Sequence, residues 1–250
     1  MIASLPMYAS PHTRAAEQRF WTCLRNALRG AGLPAPDRLT DDIPDLMTHW
    51  RSPDLILSQT CSLPYRTKLR EHVTLVGTPD YGIKGCPPGH YRSVVVTQAN
   101  NQRHSLEDFK SARVAINDPI SQSGWAALVF EAPWVLETSI RVTGSHRASL
   151  LAVLQDHADF AAIDAVTFRM LSKEGLTDRV RILHHTRPSP GLPFIAARSA
   201  ASQTLFACLE HALSELRKAD RAALGIRSIL RLPQDAYDLP IPPAPRTIAG

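Results

Sequence analysis

Residues 113–130 read RVAINDPISQSGWAALVF. The segment opens with a short apolar run, passes through a turn signal at Asn117-Asp118-Pro119, and becomes apolar and helical after Gly124. A strand that ends in a polar turn and leads into a helix is a building unit of α/β folds. The segment therefore predicts an α/β architecture.

The same alternation of short apolar runs and helical patterns continues on both sides of this segment. The predicted strands are 2–7, 54–58, 73–76, 93–97, 113–116, 142–143, 160–164 and 181–186. The clearest helices are 20–28, which ends at two glycines, 150–154, and the long amphipathic pattern at 199–218. This order is typical of an α/β protein with largely parallel sheets, and the proline-rich tail from Pro233 predicts an extended or disordered segment.

Three predicted strands end in polar residues, near Asn117, Gly144 and Asp164. Ligands of open α/β sheets bind just outside the carboxyl ends of the strands. We therefore expect the binding site at the sheet edge that these three residues share.

The composition excludes several functional classes. The chain has 250 residues, 44% of them hydrophobic, which suits one large domain or two of about 100 residues. Its apolar runs are far shorter than the roughly 20 residues that span a bilayer. The net charge of +5 favours anionic partners, but the basic residues form no run and no nucleic-acid-binding motif is visible, so a nucleic-acid partner is not expected.

Four cysteines stand without the spacing of a zinc site, and no metal or cofactor is expected. Cys61 and Cys86 lie at loop-like positions, where either a disulfide or two free thiols would fit. Cys23 and Cys208 lie in helical apolar patterns, which is typical of small core residues.

Two turns have the residues of an anion site. In Ser121-Gln122-Ser123-Gly124, hydroxyls and a glycine coincide with the start of a helix, where backbone N–H groups and the helix dipole attract anions. A plain serine N-cap would explain the same residues. In Gly144-Ser145-His146, the serine and histidine can both donate hydrogen bonds to a phosphoryl oxygen.

These turns belong to a set of segments that resembles the phosphonate-binding protein family of ABC importers, which has the type II periplasmic-binding-protein fold. The matching segments are Asp54 to Thr60, Gly89 to Ser93, Ser121 to Gly124, Gly144 to His146 and Ala158 to Asp164. They occur in the family's order over roughly residues 3 to 195.

The resemblance implies two lobes, each a mixed sheet flanked by helices, joined by two hinge strands. One lobe would comprise residues 1–90 and 187–250, and the other residues 91–186. A small oxyanion such as phosphate, phosphite or a phosphonate would bind in the cleft between them.

The resemblance also assigns ligand contacts to individual side chains. It implicates the serine turn, the histidine and tyrosines of the cleft, which are Ser121, Gln122, Ser123, His146, Tyr91 and Tyr8 here. We add four further candidates from their positions at strand ends and turns: Gln59 and Thr60 from the opposite lobe, Ser145, and Asp164. Family members that take aminophosphonates hold the ligand's amine with an acidic residue; Val166 stands near that position here, and Asp164 is the acidic residue that could replace it.

The predicted function is that of a solute-binding protein, not an enzyme, because no nucleophile elbow surrounds Ser123. The expected partners are a small anionic ligand and an ABC permease, and the protein is expected to be a monomer. Alternatives with the same fold are a cytoplasmic ligand sensor and a protein of thiamine-pyrimidine chemistry.

The expected location depends on a leader peptide. Residues 1–8 lack the basic stretch and the apolar segment of a leader, so the location is periplasmic if a leader precedes this numbering and cytoplasmic otherwise.

Overall fold

The computed structural model describes residues 1–246 and 248–249, and the chain divides into two compact units. Unit 1 comprises Met1–Gly82 and Pro190–Asp238, and unit 2 comprises Ile83–Ser189 and Leu239–Gly250. The chain therefore passes between the units three times.

Short strands make up the sheets of both units. In chain order, the strands in the described residues are β1 (Ile2–Ala3), β2 (Leu55–Gln59), β3 (Val73–Asp80), β4 (His90–Tyr91), β5 (Ser93–Gln98), β6 (Val114–Ile116), β7 (Ile140–Val142), β8 (Phe160–Asp164), β9 (Val180–His185), β10 (Ser189–Pro190), β11 (Phe194–Ala197), β12 (Ser228–Leu230) and β13 (Ile248–Ala249).

Helices alternate with these strands. The α-helices in the described residues are α1 (Arg14–Gly30), α2 (Leu46–Trp50), α3 (Ser62–Pro64), α4 (Ala127–Glu131), α5 (His146–Leu154), α6 (Ala165–Lys173), α7 (Ser202–Glu215) and α8 (Lys218–Leu224). A π-helical turn, Gln122–Ala126, runs directly into α4, and another, Tyr65–Leu69, follows α3. Short 3-10 turns lie at Leu106–Phe109, Pro133–Glu137 and Gln234–Tyr237.

Unit 1 has a five-stranded sheet in the order β1-β2-β11-β3-β12. β1 runs parallel to β2, whereas the pairs that involve β11 and β12 are antiparallel. The long helices α1 and α7 pack on each other, and α7 also packs on β3 and β12. The unit is therefore a mixed sheet with a helical layer.

Unit 2 has a six-stranded sheet in the order β13-β7-β6-β8-β5-β9. β6 is parallel to both β7 and β8, whereas β5 is antiparallel to β8 and β9. β5 is near the start of the segment Ile83–Ser189 and β9 is near its end, and these two strands run in opposite directions. The sheets are consequently mixed, and the expectation of largely parallel sheets was wrong.

Alternation along the strands gives unit 2 a core on each face of its sheet. Val95 and Phe160 pack with Trp125 on one face, whereas Val96 and Ile163 pack with other residues on the opposite face. Side chains of neighbouring strand residues point to opposite faces, so an almost continuous apolar run is the pattern of a strand that is covered on both sides. α5 and α6 cover one of these faces by packing on β8 and β5.

Two predicted elements differ from the structure in length. The first strand covers only Ile2–Ala3, and Pro6 lies within the part that is not strand. The helix predicted for 199–218 is two helices, because Leu216 adopts an extended backbone (φ −69°, ψ 139°) that ends α7.

The C-terminal tail is more ordered than its prolines predict. Its first part contains a 3-10 turn with the buried Tyr237, and its last part forms β13, which pairs in parallel with β7. The indole Nε1 of Trp125 donates to the carbonyl of Pro243 at 2.8 Å. These contacts explain why Leu239–Gly250 groups with unit 2, whereas the predicted lobes placed it with the first lobe.

Two further observations bear on the sequence predictions. Within the described residues, no helix combines the length and apolarity that a membrane-spanning helix needs. Cys23, Cys61, Cys86 and Cys208 are all free thiols in the structure.

Candidate functional site

The three strand ends that the sequence singled out lie at one edge of the unit 2 sheet. β7, β6 and β8 are neighbours and parallel, so their carboxyl ends point the same way. Asn117 follows β6, Gly144 follows β7 after a single intervening residue, and Asp164 ends β8. The expectation of a shared polar edge is confirmed.

The Ser121–Gly124 turn begins the helical segment that continues into α4. Ser121 is the N-cap, and its Oγ accepts a hydrogen bond from the Gly124 amide at 3.0 Å. The first amides of a helix have no partner within the helix, and they carry the positive end of the helix dipole. The turn therefore has the capping bond of the plain N-cap interpretation together with the geometry that attracts an anion.

The turn is buried rather than open. Ser121, Gln122 and Ser123 are 5%, 3% and 5% exposed. The carbonyl of Ser123 accepts a 2.8 Å hydrogen bond from Ser93 Oγ, and Ser121 Oγ lies 3.4 Å from Ser123 Oγ. Ser93 thus holds the turn against β5. The predicted site residues did not include Ser93.

The second turn brings a histidine to the first. His146 is the first residue of α5, and its Nε2 lies 2.8 Å from Ser123 Oγ. Ser145 is the N-cap of α5, with its Oγ accepting from the Ala148 amide at 3.1 Å. The structure therefore brings Ser121, Ser123 and His146 into one hydrogen-bonded group.

Burial lowers the pKa of His146 from 6.5 to about 4, and a hydrogen bond with the Ala162 backbone opposes this shift only in part. The imidazole is consequently neutral at neutral pH and presents one donor and one acceptor.

Gly124 is required by the close approach of Asn117. A Cβ on Gly124 would lie 1.8 Å from Asn117 Oδ1 and 3.4 Å from the Asn117 amide nitrogen. The carbonyl of Asn117 also accepts a hydrogen bond from the Gly144 amide at 3.0 Å. Asn117 therefore joins the two turns, and its position directly after a strand was the signal in the sequence.

The two other predicted residues of unit 2 have structural contacts. Asp164 is 2% exposed and caps α6, because its Oδ1 accepts from the Thr167 amide at 2.8 Å. Tyr91 is 1% exposed. The ligand roles of both residues remain predictions.

Tyr8, Gln59 and Thr60 belong to unit 1, where they form a separate group. The Tyr8 and Tyr81 rings meet edge to face at 5.0 Å, and Gln59 Nε2 donates to Tyr81 Oη and to the Leu192 carbonyl, each at 3.0 Å. Thr60 is fully buried, and its amide donates to the Pro193 carbonyl. Their contribution to a ligand also remains a prediction.

Comparison with known proteins identifies a family. The model of a family described as "ABC transporter, phosphonate, periplasmic substrate-binding protein" matches residues 2–231. No curated protein matches the sequence at a significant level.

Solved structures match over nearly the whole chain. A Pseudomonas aeruginosa binding protein component of an ABC phosphonate transporter is 14% identical, with a TM-score of 0.68 over 95% of this chain and 82% of that one. A Prochlorococcus marinus protein in complex with methylphosphonate is 13% identical, with a TM-score of 0.70 over 94% and 93%. A Xanthomonas citri protein bound to ATP is 14% identical, with a TM-score of 0.70 over 95% and 93%. At these identities the matches establish the fold, and the two-lobed type II prediction is confirmed.

Proposed function

Since the chain belongs to the phosphonate-binding family of periplasmic substrate-binding proteins of ABC transporters, we propose that it binds a phosphate, phosphite or phosphonate at the two turns of unit 2. The observation that carries this proposal is the partly buried contact of 2.8 Å between Ser123 Oγ and His146 Nε2 at a helix start. Buried hydroxyls, helical amides and an imidazole together form a donor-rich site for an oxyanion.

The neutral state of His146 supports recognition by hydrogen bonds rather than by an ion pair. A hydrogen bond between Ser123 Oγ and the imidazole fixes the position of the hydroxyl before a ligand arrives. A pre-positioned donor loses less conformational entropy when it binds. The affinity of this site therefore depends on geometry, and small changes in the turn should have large effects.

The remaining roles extend this proposal: those of Tyr8, Tyr91 and a permease follow from family membership, and those of Gln59, Thr60, Ser145 and Asp164 from their positions at strand ends and turns. Tyr8, Gln59, Thr60, Tyr91, Ser145 and Asp164 are proposed as further ligand contacts, and a permease is the proposed protein partner. We propose a periplasmic location and no catalytic activity. Ser123 and His146 form a pair that resembles part of a hydrolase triad, but fixing an anion needs only their hydrogen bonds.

The test is a thermal-shift screen followed by calorimetry of the purified chain. The ligands are phosphate, phosphite, methylphosphonate, aminoethylphosphonate, sulfate, taurine, ATP and thiamine-pyrimidine precursors. A ligand that binds only the folded protein raises its unfolding temperature by mass action. We expect phosphorus oxyanions to produce the largest shifts.

Two serine variants complete the test. Ser123→Ala should reduce the shift caused by a phosphorus oxyanion, whereas Ser172→Ala, at an exposed serine of unit 2, should leave it unchanged. Stabilisation only by ATP or by a thiamine precursor would replace the proposed ligand class, and equal shifts in both variants would move the site away from the serine turn.

A further inference from the structure

Asn117 occupies the junction of the two turns through two different groups. Its backbone carbonyl accepts from the Gly144 amide, and its side-chain Oδ1 lies against Gly124 in the place that a Cβ would need. A residue held at both turns cannot move without disturbing one of them. Asn117 is therefore fixed between the two turns of the proposed site.

The oxygen of this side chain is unusual in its surroundings. Asn117 Oδ1 is buried and has no hydrogen-bonding partner within the described residues. Buried polar atoms in folded proteins nearly always have a partner, so an exception calls for a ligand or another specific cause. The neighbouring turn residues Ser121 and Ser123 are themselves almost fully buried.

The chemistry of Asn117 Oδ1 complements that of the turn. Hydroxyls and helical amides of the turn supply donors, which suit any oxyanion, whereas a carboxamide oxygen is only an acceptor. A phosphate, phosphite or phosphonate that keeps one proton offers a P–OH donor to such an oxygen. Sulfate and sulfonates have no proton at neutral pH, and their oxygens would face the carboxamide oxygen without a hydrogen bond.

We infer that Asn117 is a specificity-determining residue that accepts the P–OH hydrogen bond of a monoprotonated phosphorus oxyanion. The inference rests on the proposed function and adds discrimination against sulfur oxyanions. A site that hydrogen-bonds a ligand hydroxyl rejects an analogue that lacks it, because the buried polar atom is then left unpaired.

The experiment is calorimetry of the purified chain with methylphosphonate and methanesulfonate, which differ mainly in the acidic hydroxyl. We expect the unaltered protein to bind methylphosphonate about 100-fold more tightly or better. Asn117→Leu, which has a similar size but no acceptor, should lose most of this ratio. Asn117→Asp keeps an acceptor and should keep or widen the ratio, and Asn100→Leu, at an exposed position of unit 2, should not change it.

The outcomes separate the two levels of the proposal. If the unaltered chain binds both ligands equally, or if Asn117→Leu keeps the full ratio, the inference is overturned while the oxyanion site stands. If no phosphorus oxyanion binds the unaltered chain, the proposed function fails first. The unfolding temperature of each variant is measured in parallel, and should Asn117→Leu fail to fold, Asn117→Asp decides: a collapsed ratio in that variant contradicts the acceptor role.

Discussion

Each unit contains a serine and a histidine at 2.8 Å, yet the two pairs have different surroundings. In unit 1, Ser4 Oγ contacts His49 Nε2 and also Ser58 Oγ at 2.7 Å, and Trp50 Nε1 donates to Ser58 Oγ. In unit 2, the pair of Ser123 and His146 lies at helix starts.

The difference lies in which hydrogen-bonding groups are already used. Ser4, His49, Trp50 and Ser58 bond to one another within the core of unit 1, where polar groups that are fully paired stabilise a unique packing. Beside the unit 2 pair, Asn117 Oδ1 is buried and makes no hydrogen bond within the described residues. A short distance between a serine and a histidine is therefore not evidence of a site by itself, and the proposed site in unit 2 rests on the unpaired Asn117 Oδ1 beside its pair as well.

Acid should produce the largest contrast between the two histidines. Burial lowers the pKa of both rings, for His146 to about 4 from 6.5. Between these two pH values the unfolded chain takes up a proton that the folded chain does not. The contribution of the neutral histidine to the free energy of unfolding is therefore fully present above pH 6.5 and is lost as the pH falls. For His146 the loss reaches at most about 3 kcal/mol near pH 4.

This expectation is tested by urea unfolding at pH 7 and pH 4.5. His146→Gln should flatten the pH dependence more than His49→Gln does, and His157→Gln, at an exposed position, should leave the slope as it is. An unchanged slope in His146→Gln would show that its ring is not protected from protonation.

Removing one hydroxyl from each pair should separate affinity from stability. Ser123→Ala removes a donor from the proposed anion site and should weaken binding of methylphosphonate by about 1–3 kcal/mol. Ser4→Ala leaves His49 and Ser58 without their common partner and should cost about 1–2 kcal/mol of unfolding free energy with unchanged affinity. Calorimetry and urea unfolding of both variants measure the two effects, and the reverse assignment would contradict the comparison.

The helix caps offer the smallest contrast. Ser145 caps α5 in unit 2 and Asp45 caps α2 in unit 1, each accepting from a backbone amide. Replacing either residue by Ala should cost about 1 kcal/mol of stability. Ser145→Ala should also weaken ligand binding, by less than Ser123→Ala does, whereas equal affinities in the two cap variants would remove Ser145 from the proposed contacts.

The sequence predicted most of the fold because its local signals were strong. The apolar run at 160–164 matches β8 without error, and the helical face around Phe20 and Leu24 lies within α1. The direction of neighbouring strands was less accessible, since an apolar run of five residues shows that a strand is buried but not which way its neighbour runs.

The site was predicted in part for the same reason. Ser121, Ser123 and His146 were found because serine and histidine directly before a helix form a recognisable pattern, and the structure joins them. Asn117 was noticed only as a strand end, because its contact with Gly124 depends on the path of the chain between them. Asp164 caps a helix. Its position between a strand and a helix was as good evidence for this capping role as for a ligand contact.

The return of the chain end to unit 2 limits how this protein can be divided into parts. A fragment of residues 83–189 contains most of that unit but would lack β13, so β7 would become an open edge strand, a common starting point for aggregation. It would also leave the indole N–H of Trp125, next to the serine turn, without the Pro243 carbonyl. An isolated unit 2 would therefore need residues 239–250 joined to residues 83–189 through a linker in order to fold as it does in the whole chain.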